Sequence, residues 1–95
     1  MIEVSVRERE IKVSGHAGYS VQGFDVVCAG VTALVQTLVK SVENLTEDKI
    51  EYELSLGRAE IKYGNLSERS WTLVDSFFVG ICLIASEFPD NVRIV

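Results

Sequence analysis

The sequence predicts a two-layer α+β fold with elements in the order ββαββαβ. Paired segments alternate apolar and polar residues, as strands do, and two longer segments carry apolar residues at three- and four-residue steps, as helices do. With 95 residues, 47% hydrophobic residues and one proline, the chain is expected to be one ordered domain, 1–95, since two pieces would each be too small to bury a core. This order favours an antiparallel-rich sheet with both helices on one face.

The opening residues predict a β-hairpin followed by a loop. Apolar residues alternate at Ile2, Val4 and Val6, and alternation resumes at Ile11, Val13 and Gly15 after a charged turn. From His16 to Phe24 no period is sustained, and glycine recurs. We therefore expect a flexible loop between the hairpin and the next element.

The first helix is predicted over VVCAGVTALVQTLVKSVENL, directly after Asp25. Asp25 fits the N-cap, where a carboxylate accepts the free backbone N–H groups of the first turn. The helix is predicted to end at Asn44 to Thr46. The apolar stripe consists of Val27, Val31, Leu34, Val35, Leu38, Val42 and Leu45.

A second hairpin, a second helix and a last strand complete the fold. Strands are predicted over Ile50–Leu56 and Ala59–Tyr63 with a turn at Gly57-Arg58. Ser67 is the predicted N-cap of the second helix, Pro89 ends it, and Val92–Val95 forms a short strand. The expected apolar face contains Trp71, Val74, Phe77, Phe78, Ile81, Ile84, Ala85 and Phe88. Leu73, Val79 and Leu83 add apolar surface on other sides, which favours a homodimer through this helix.

Charge and composition exclude several classes of function. A net charge of −5 argues against direct binding of nucleic acid, which requires a basic surface. The amino-terminal residues do not resemble a signal peptide, and the longest apolar stretch, Phe77 to Ala85, is too short to cross a bilayer. We therefore expect a cytoplasmic protein without membrane contact. Its two cysteines are expected to be free thiols; they lack zinc-site spacing, and no metal or cofactor is expected.

His16 and Cys28 are the candidate catalytic residues. With Asp25 as N-cap, Cys28 is the third helical residue, where free N–H groups and the helix dipole favour a thiolate. The Asp25 carboxylate opposes this effect. A loop of about eight residues can return the chain from His16 to the same rim of the sheet. The histidine would then accept the thiol proton and later protonate the leaving amine.

Structural interpretations stay open at each of these positions. Free cysteine is among the most buried residue types, and a lone histidine is usually only hydrogen-bonded. Gly30 is explained equally well by close approach of another chain or by packing on the sheet. The Thr32 hydroxyl either lines the site or bonds back to its own helix, and Tyr19 and Phe24 belong either to a lid over a peptide or to an ordinary surface loop. Cys82, inside an apolar run, is expected to be buried.

The segments GHAGY, GxD and DVVCAGVT, with the closing FPDNV, resemble the ribosomal-processing cysteine proteases of the Prp family. The similarity runs over nearly the whole chain. It implies a small homodimeric endopeptidase that removes a short N-terminal extension from a large-subunit ribosomal protein, cutting after an aromatic-ended hydrophobic sequence. His16 would be the general base and Cys28 the nucleophile.

The resemblance also assigns supporting roles. Asp25 would orient the site or cap its helix, and the matching Gly15 and Gly23 would let the loop bend and move. From the residues alone, the candidate substrate loop consists of Gly15, Gly18, Tyr19, Gly23 and Phe24. The backbone N–H of Cys28 or Ala29 is a candidate oxyanion donor. Gly30 and Thr32 stand where alanine and serine are common in the family.

Two other hypotheses compete with the protease. The first is a noncatalytic ribosome-associated protein that grips a peptide with the same loop. The second is a redox protein, although Cys28 has no resolving cysteine nearby in the sequence.

Overall fold

The computed structural model describes residues 1–21 and 23–95. The elements follow the predicted order ββαββαβ. They are β1 (Ile2–Val6), β2 (Glu10–Ser14), α1 (Val26–Leu45), β3 (Glu51–Ser55), β4 (Arg58–Lys62), α2 (Glu68–Glu87) and β5 (Val92–Ile94). The predicted N-caps are confirmed, because the side chains of Asp25 and Ser67 accept backbone N–H groups at the starts of α1 and α2.

The strands form one sheet in the order β3-β4-β2-β1-β5. Neighbouring strands are antiparallel except β1 and β5, which are parallel. This confirms the antiparallel-rich sheet. The parallel pair places the end of the chain beside its beginning, so that residues near 91 lie close to the exit of β2, which pairs with the other edge of β1.

Both helices cover the same face of the sheet and share one core with it. The strands contribute alternate residues, and the helices contribute stripes at three- and four-residue steps. The buried apolar residues include Ile2, Val4, Ile11, Val13, Ala59, Ile61, Val27, Val31, Val35, Leu38, Val39, Val42, Val74, Phe77, Ile81 and Val92. Leu45, predicted to belong to the stripe, is exposed because it ends α1.

Strand β3 lies at the edge of the sheet. Its five residues are all exposed, although Tyr52 and Leu54 point to the same side as their buried partners on β4. The turn after it is Leu56-Gly57, with Ser55 opposite Arg58. The prediction of a turn at Gly57-Arg58 was therefore wrong by one residue, because the residue that needs a positive φ, Gly57 at +74°, takes the second turn position.

The packing of α2 corrects two expectations. Gly30 faces Ile84 of α2, whose Cδ1 would lie 3.3 Å from a Cβ at position 30, so the glycine serves helix–helix packing and not contact with the sheet. Cys82 is only partly buried, because it lies at the flank of the buried stripe of α2. By length and composition alone both helices suffice to cross a membrane, but each carries a stripe buried in the core, as core helices do.

Candidate active site

The Asp25 carboxylate ties the 15–25 loop to the start of α1. Its Oδ1 accepts the N–H groups of Val27 and Cys28 at 2.9 and 3.0 Å, which is the capping role predicted for it. Its Oδ2 accepts the N–H groups of Tyr19 and Ser20 at 2.9 and 3.1 Å. One buried side chain therefore fixes both the helix that carries Cys28 and the middle of the loop before it.

These bonds control the ionisation of Asp25. Burial opposes the charged form and raises the pKa of the carboxyl, while the backbone N–H groups of Cys28, Ser20, Tyr19 and Val27 lower it. The hydrogen bonds together outweigh burial, so the pKa lies below the ordinary value of 3.8. At neutral pH Asp25 is an anion whose charge is spread over peptide donors.

Cys28 is the third residue of α1, as predicted, and its side chain is partly exposed. The backbone N–H of Ala17 donates to its Sγ at 3.3 Å. This bond brings the residue directly after His16 onto the sulfur. The topology thus confirms that the exit of β2 and the start of α1 meet at one rim of the sheet.

The imidazole of His16 lies over the β3–β4 turn. A Cβ at Gly57 would come 2.8 Å from its Nε2, and the N–H of Gly15 donates to the carbonyl of Gly57 at 2.9 Å. Between His16 and Cys28, both of which the structure describes, no side-chain hydrogen bond is formed. The two side chains share a site, with the ring resting beside the turn.

A cavity of about 780 Å³ joins these groups. Its walls are the 15–25 loop, one face of α1 and the β3–β4 hairpin. His16, Cys28, Asp25 and Thr32 line it, as the sequence predicted for site residues, together with the loop glycines Gly15, Gly18 and Gly23. The hairpin contributes Leu54, Ser55, Leu56, Gly57, Arg58 and Ala59.

The two aromatic residues predicted for the substrate loop do not line this cavity. Tyr19 packs edge-on against Phe88, with ring centroids 5.2 Å apart, and therefore anchors the loop to the end of α2. Phe24 is 79% exposed at the outer side of the loop. In this conformation the glycines of the loop, and not its aromatic residues, border the site.

The predicted oxyanion donors are already occupied. The Cys28 N–H donates to the Asp25 carboxylate, and the Ala29 N–H donates to the Asp25 backbone carbonyl at 3.0 Å as part of the helix. Ala29 borders the cavity, but its N–H is not free for a ligand. The predicted role of Ala29 as donor would therefore require this helical bond to break.

Sequence reasoning missed Asn91. Its Nδ2 donates to the carbonyl of Ala17 at 2.9 Å, across 74 residues of sequence. No local pattern indicates this contact, since it depends on β5 lying parallel to β1. Within residues 1–21 and 23–95, no group of three or more His, Cys, Asp or Glu side chains is placed to hold a metal ion.

The arrangement supports nucleophilic chemistry. A partly exposed thiol at a helix start faces a cleft that also holds the chain's single histidine, the residue type that most often moves protons at neutral pH. Apolar hairpin residues on the opposite wall suit a ligand with apolar side chains.

Comparisons with known proteins agree with this chemistry. A family model described as cysteine protease Prp matches residues 1–93. The ribosomal processing cysteine protease Prp of Staphylococcus aureus (strain Mu50) is 25% identical over 88 residues, covering 90% of this chain and 83% of that protein.

Solved structures share the fold. The essential ribosomal processing protease Prp from S. aureus, crystallised with a covalently linked product peptide, has a TM-score of 0.88 at 21% identity, with 98% of this chain and 94% of that chain covered. SMU.848 from Streptococcus mutans has a TM-score of 0.84 at 26% identity, with 99% and 91% covered. Since the family model spans nearly every residue and the fold agrees, the chain belongs to the Prp family of cysteine proteases.

Proposed function

We propose that the chain is an endopeptidase in which Cys28 is the nucleophile and His16 the general base, and that it removes a short N-terminal extension from a large-subunit ribosomal protein. The observation that carries the proposal is the position of Cys28, whose sulfur opens onto the cleft shared with His16. No other cysteine of the chain borders that cleft.

The reaction would proceed through a thioester. The His16 imidazole takes the thiol proton as Sγ bonds to the scissile carbonyl carbon, and the carbonyl electrons move onto oxygen. When the C=O bond re-forms, the C–N bond breaks and the amine leaves with the proton from His16. Water then adds to the thioester and gives a proton to His16; the S–C bond breaks, and the sulfur regains that proton.

The resting place of the His16 ring fits an enzyme that completes its site on binding. The ring lies beside Gly57 and not on the sulfur, and catalytic hydrogen bonds often tighten only when substrate is bound. A peptide that fills the cleft between the hairpin and α1 would contact the turn beside which the ring rests, and we expect binding to bring the ring nitrogen to the Cys28 sulfur.

The walls of the cleft support an apolar peptide as substrate. Leu54 and Leu56 point from the edge hairpin into the cavity, and Leu56 is 78% exposed, so both gain burial when apolar side chains cover them. The relatives support a ribosomal substrate, since the S. aureus protein carries the name of a ribosomal processing protease and was crystallised with a substrate peptide. We infer a cut after an aromatic residue.

A homodimer through α2 is part of this proposal. Val79 and Leu83 are exposed on the side of α2 opposite its buried stripe, and a second copy would cover them. Sedimentation at micromolar concentration is expected to give a dimer, and replacing Leu83 with lysine is expected to give a monomer. We place the enzyme in the cytoplasm, where a ribosomal substrate is made.

The proposal is tested by mass spectrometry of new N-termini. The protein is incubated with synthetic N-terminal peptides of bacterial large-subunit ribosomal proteins. We expect one cut after an aromatic residue with the wild-type protein, and binding without a cut with Cys28→Ala. A peptide that binds to the wild-type protein and stays intact would instead identify a noncatalytic peptide-binding protein.

A further inference from the structure

One backbone donor at the nucleophile is not explained by the fold. The N–H of Ala17 points at Sγ of Cys28 at 3.3 Å, and the residue itself is 2% exposed. A thiol sulfur is a weak acceptor. This N–H is therefore held at the reacting atom while bonded to a partner that it can readily exchange for a better one.

The other N–H groups that the structure shows bonded around Cys28 have strong oxygen acceptors. Four of them donate to the Asp25 carboxylate, and one donates to the Asp25 carbonyl. They belong to Tyr19, Ser20, Val27, Cys28 and Ala29. To accept a hydrogen bond from any of these five groups, a developing oxyanion would have to displace the Asp25 carboxylate or break a helical bond. To accept one from the Ala17 N–H, it would have to displace only the sulfur.

The peptide groups on both sides of Ala17 are fixed. The His16 carbonyl, in the same peptide plane as the Ala17 N–H, accepts from the nitrogen of Met1 at 2.5 Å. The Ala17 carbonyl accepts from Nδ2 of Asn91 at 2.9 Å. A donor held from both sides needs no reorganisation when charge appears, and this preorganisation is what makes oxyanion stabilisation effective.

We propose that the Ala17 N–H is the oxyanion donor of this protease and that Asn91 is a positioning residue for it. The inference rests on the proposed function. As Sγ bonds to the scissile carbon, the electron pair of the C=O π bond moves onto the carbonyl oxygen. This oxygen and the sulfur are then bonded to the same carbon. The N–H then passes from sulfur to that oxygen, and it returns to sulfur when the S–C bond of the thioester breaks.

Semisynthesis tests the donor directly, because Cys28 is itself a ligation site. A synthetic 1–27 thioester in which lactic acid replaces Ala17 is joined to recombinant 28–95, which changes one amide to an ester. The change removes that N–H and makes the His16 carbonyl a weaker acceptor for Met1. The control is the all-amide protein made in the same way. The probes are a quenched-fluorescent peptide with two central phenylalanines, for hydrolysis, and iodoacetamide, whose reaction with Cys28 forms no oxyanion.

We expect the ester to lower kcat by about 10²- to 10³-fold, with KM and the alkylation rate of Cys28 changed by less than about threefold. Hydrolysis within about threefold of the control would overturn the assignment. So would an equal fall in hydrolysis and alkylation, because the N–H would then act on the thiol. If the all-amide protein itself alkylates normally but cleaves nothing, the proposed function fails, and this assignment fails with it.

A second variant keeps the test independent of ester folding. Asn91→Ala removes the donor to the Ala17 carbonyl, and Asp90→Ala changes an exposed neighbour in the same turn. For Asn91→Ala we expect kcat to fall by about tenfold with KM unchanged, and for Asp90→Ala no change. A rise in KM with kcat retained would show that Asn91 merely shapes the cleft and would overturn its positioning role.

Discussion

The imidazole of His16 rests against Gly57, where a Cβ would come 2.8 Å from Nε2 and 2.9 Å from Cε1. Gly57 also has φ of +74°, as the turn between β3 and β4 requires. Glycine at position 57 therefore has two roles. It adopts the positive φ of the turn, and it leaves room for the His16 ring. The edge hairpin therefore determines where the proposed general base lies.

Gly57→Ala is expected to lower cleavage by about tenfold, because the methyl group displaces the ring from its place beside the cleft. The displacement is visible without substrate, since His16 is the only histidine and gives a single Cε1–H resonance in NMR spectra. The control is Asn65→Ala, which also places alanine at a positive φ, here +51°, away from the site. An unchanged His16 resonance in Gly57→Ala would contradict the steric account.

Asp25→Ala is expected to destabilise the protein at neutral pH and to have a diminishing effect in acid. The pKa of Asp25 in the folded protein lies below 3.8, its ordinary value. Its stabilising contribution is therefore complete above that value and is lost as the pH falls through the folded-state pKa. The difference in unfolding free energy between wild type and variant, from urea titrations at pH 6 down to about 3, should stay constant to about pH 4 and shrink below that pH.

The difference between the two proteins isolates Asp25, because Asp48, whose pKa is lowered by hydrogen bonds from Ser67 and Ser70, titrates in both. Hydrogen exchange gives a second measurement. The Tyr19 and Ser20 amides lose their acceptor in the variant and should exchange faster. A destabilisation that stays constant over the acid range would mean that the carboxylate charge does not carry the effect.

Gly30→Ala is expected to stabilise the protein by about 0.5–1 kcal/mol, because alanine favours the helix interior and the atom it meets is a terminal methyl of Ile84 at 3.3 Å. Gly80→Ala is the contrasting change. Its Cβ would lie 2.8 and 2.9 Å from the two methyl groups of Leu34, so the packing cost offsets the helix gain. Thermal unfolding of both variants checks the comparison. A destabilised Gly30→Ala would show that the Ile84 side chain cannot move to accommodate the added methyl group.

The elements of the fold were predictable because their signals are local. The alternation around Val4 and Val13, and the capping residues Asp25 and Ser67, act within a few residues of themselves. The position of the hairpin turn was missed by one residue, because two turn placements satisfied the same alternation and only the backbone shows which one gives Gly57 its positive φ.

The candidate site was predictable only in part. Cys28 and His16 were correctly placed at one cleft, because helix-start position and loop length are both readable from sequence. Asn91 and Gly57 were not, since each reaches the site through strand pairing between distant segments. The sequence also does not show that the N–H of Ala29, a predicted oxyanion donor, is bonded within the helix.

The two cysteines provide the most direct measurement of the central claim, because both are partly exposed and only Cys28 borders the cleft. Cleavage of the ribosomal-protein peptide is compared in Cys28→Ala and Cys82→Ala. The account predicts a loss of about a thousandfold or more for Cys28→Ala and a rate within about twofold of wild type for Cys82→Ala. Cleavage that survives in Cys28→Ala would contradict it.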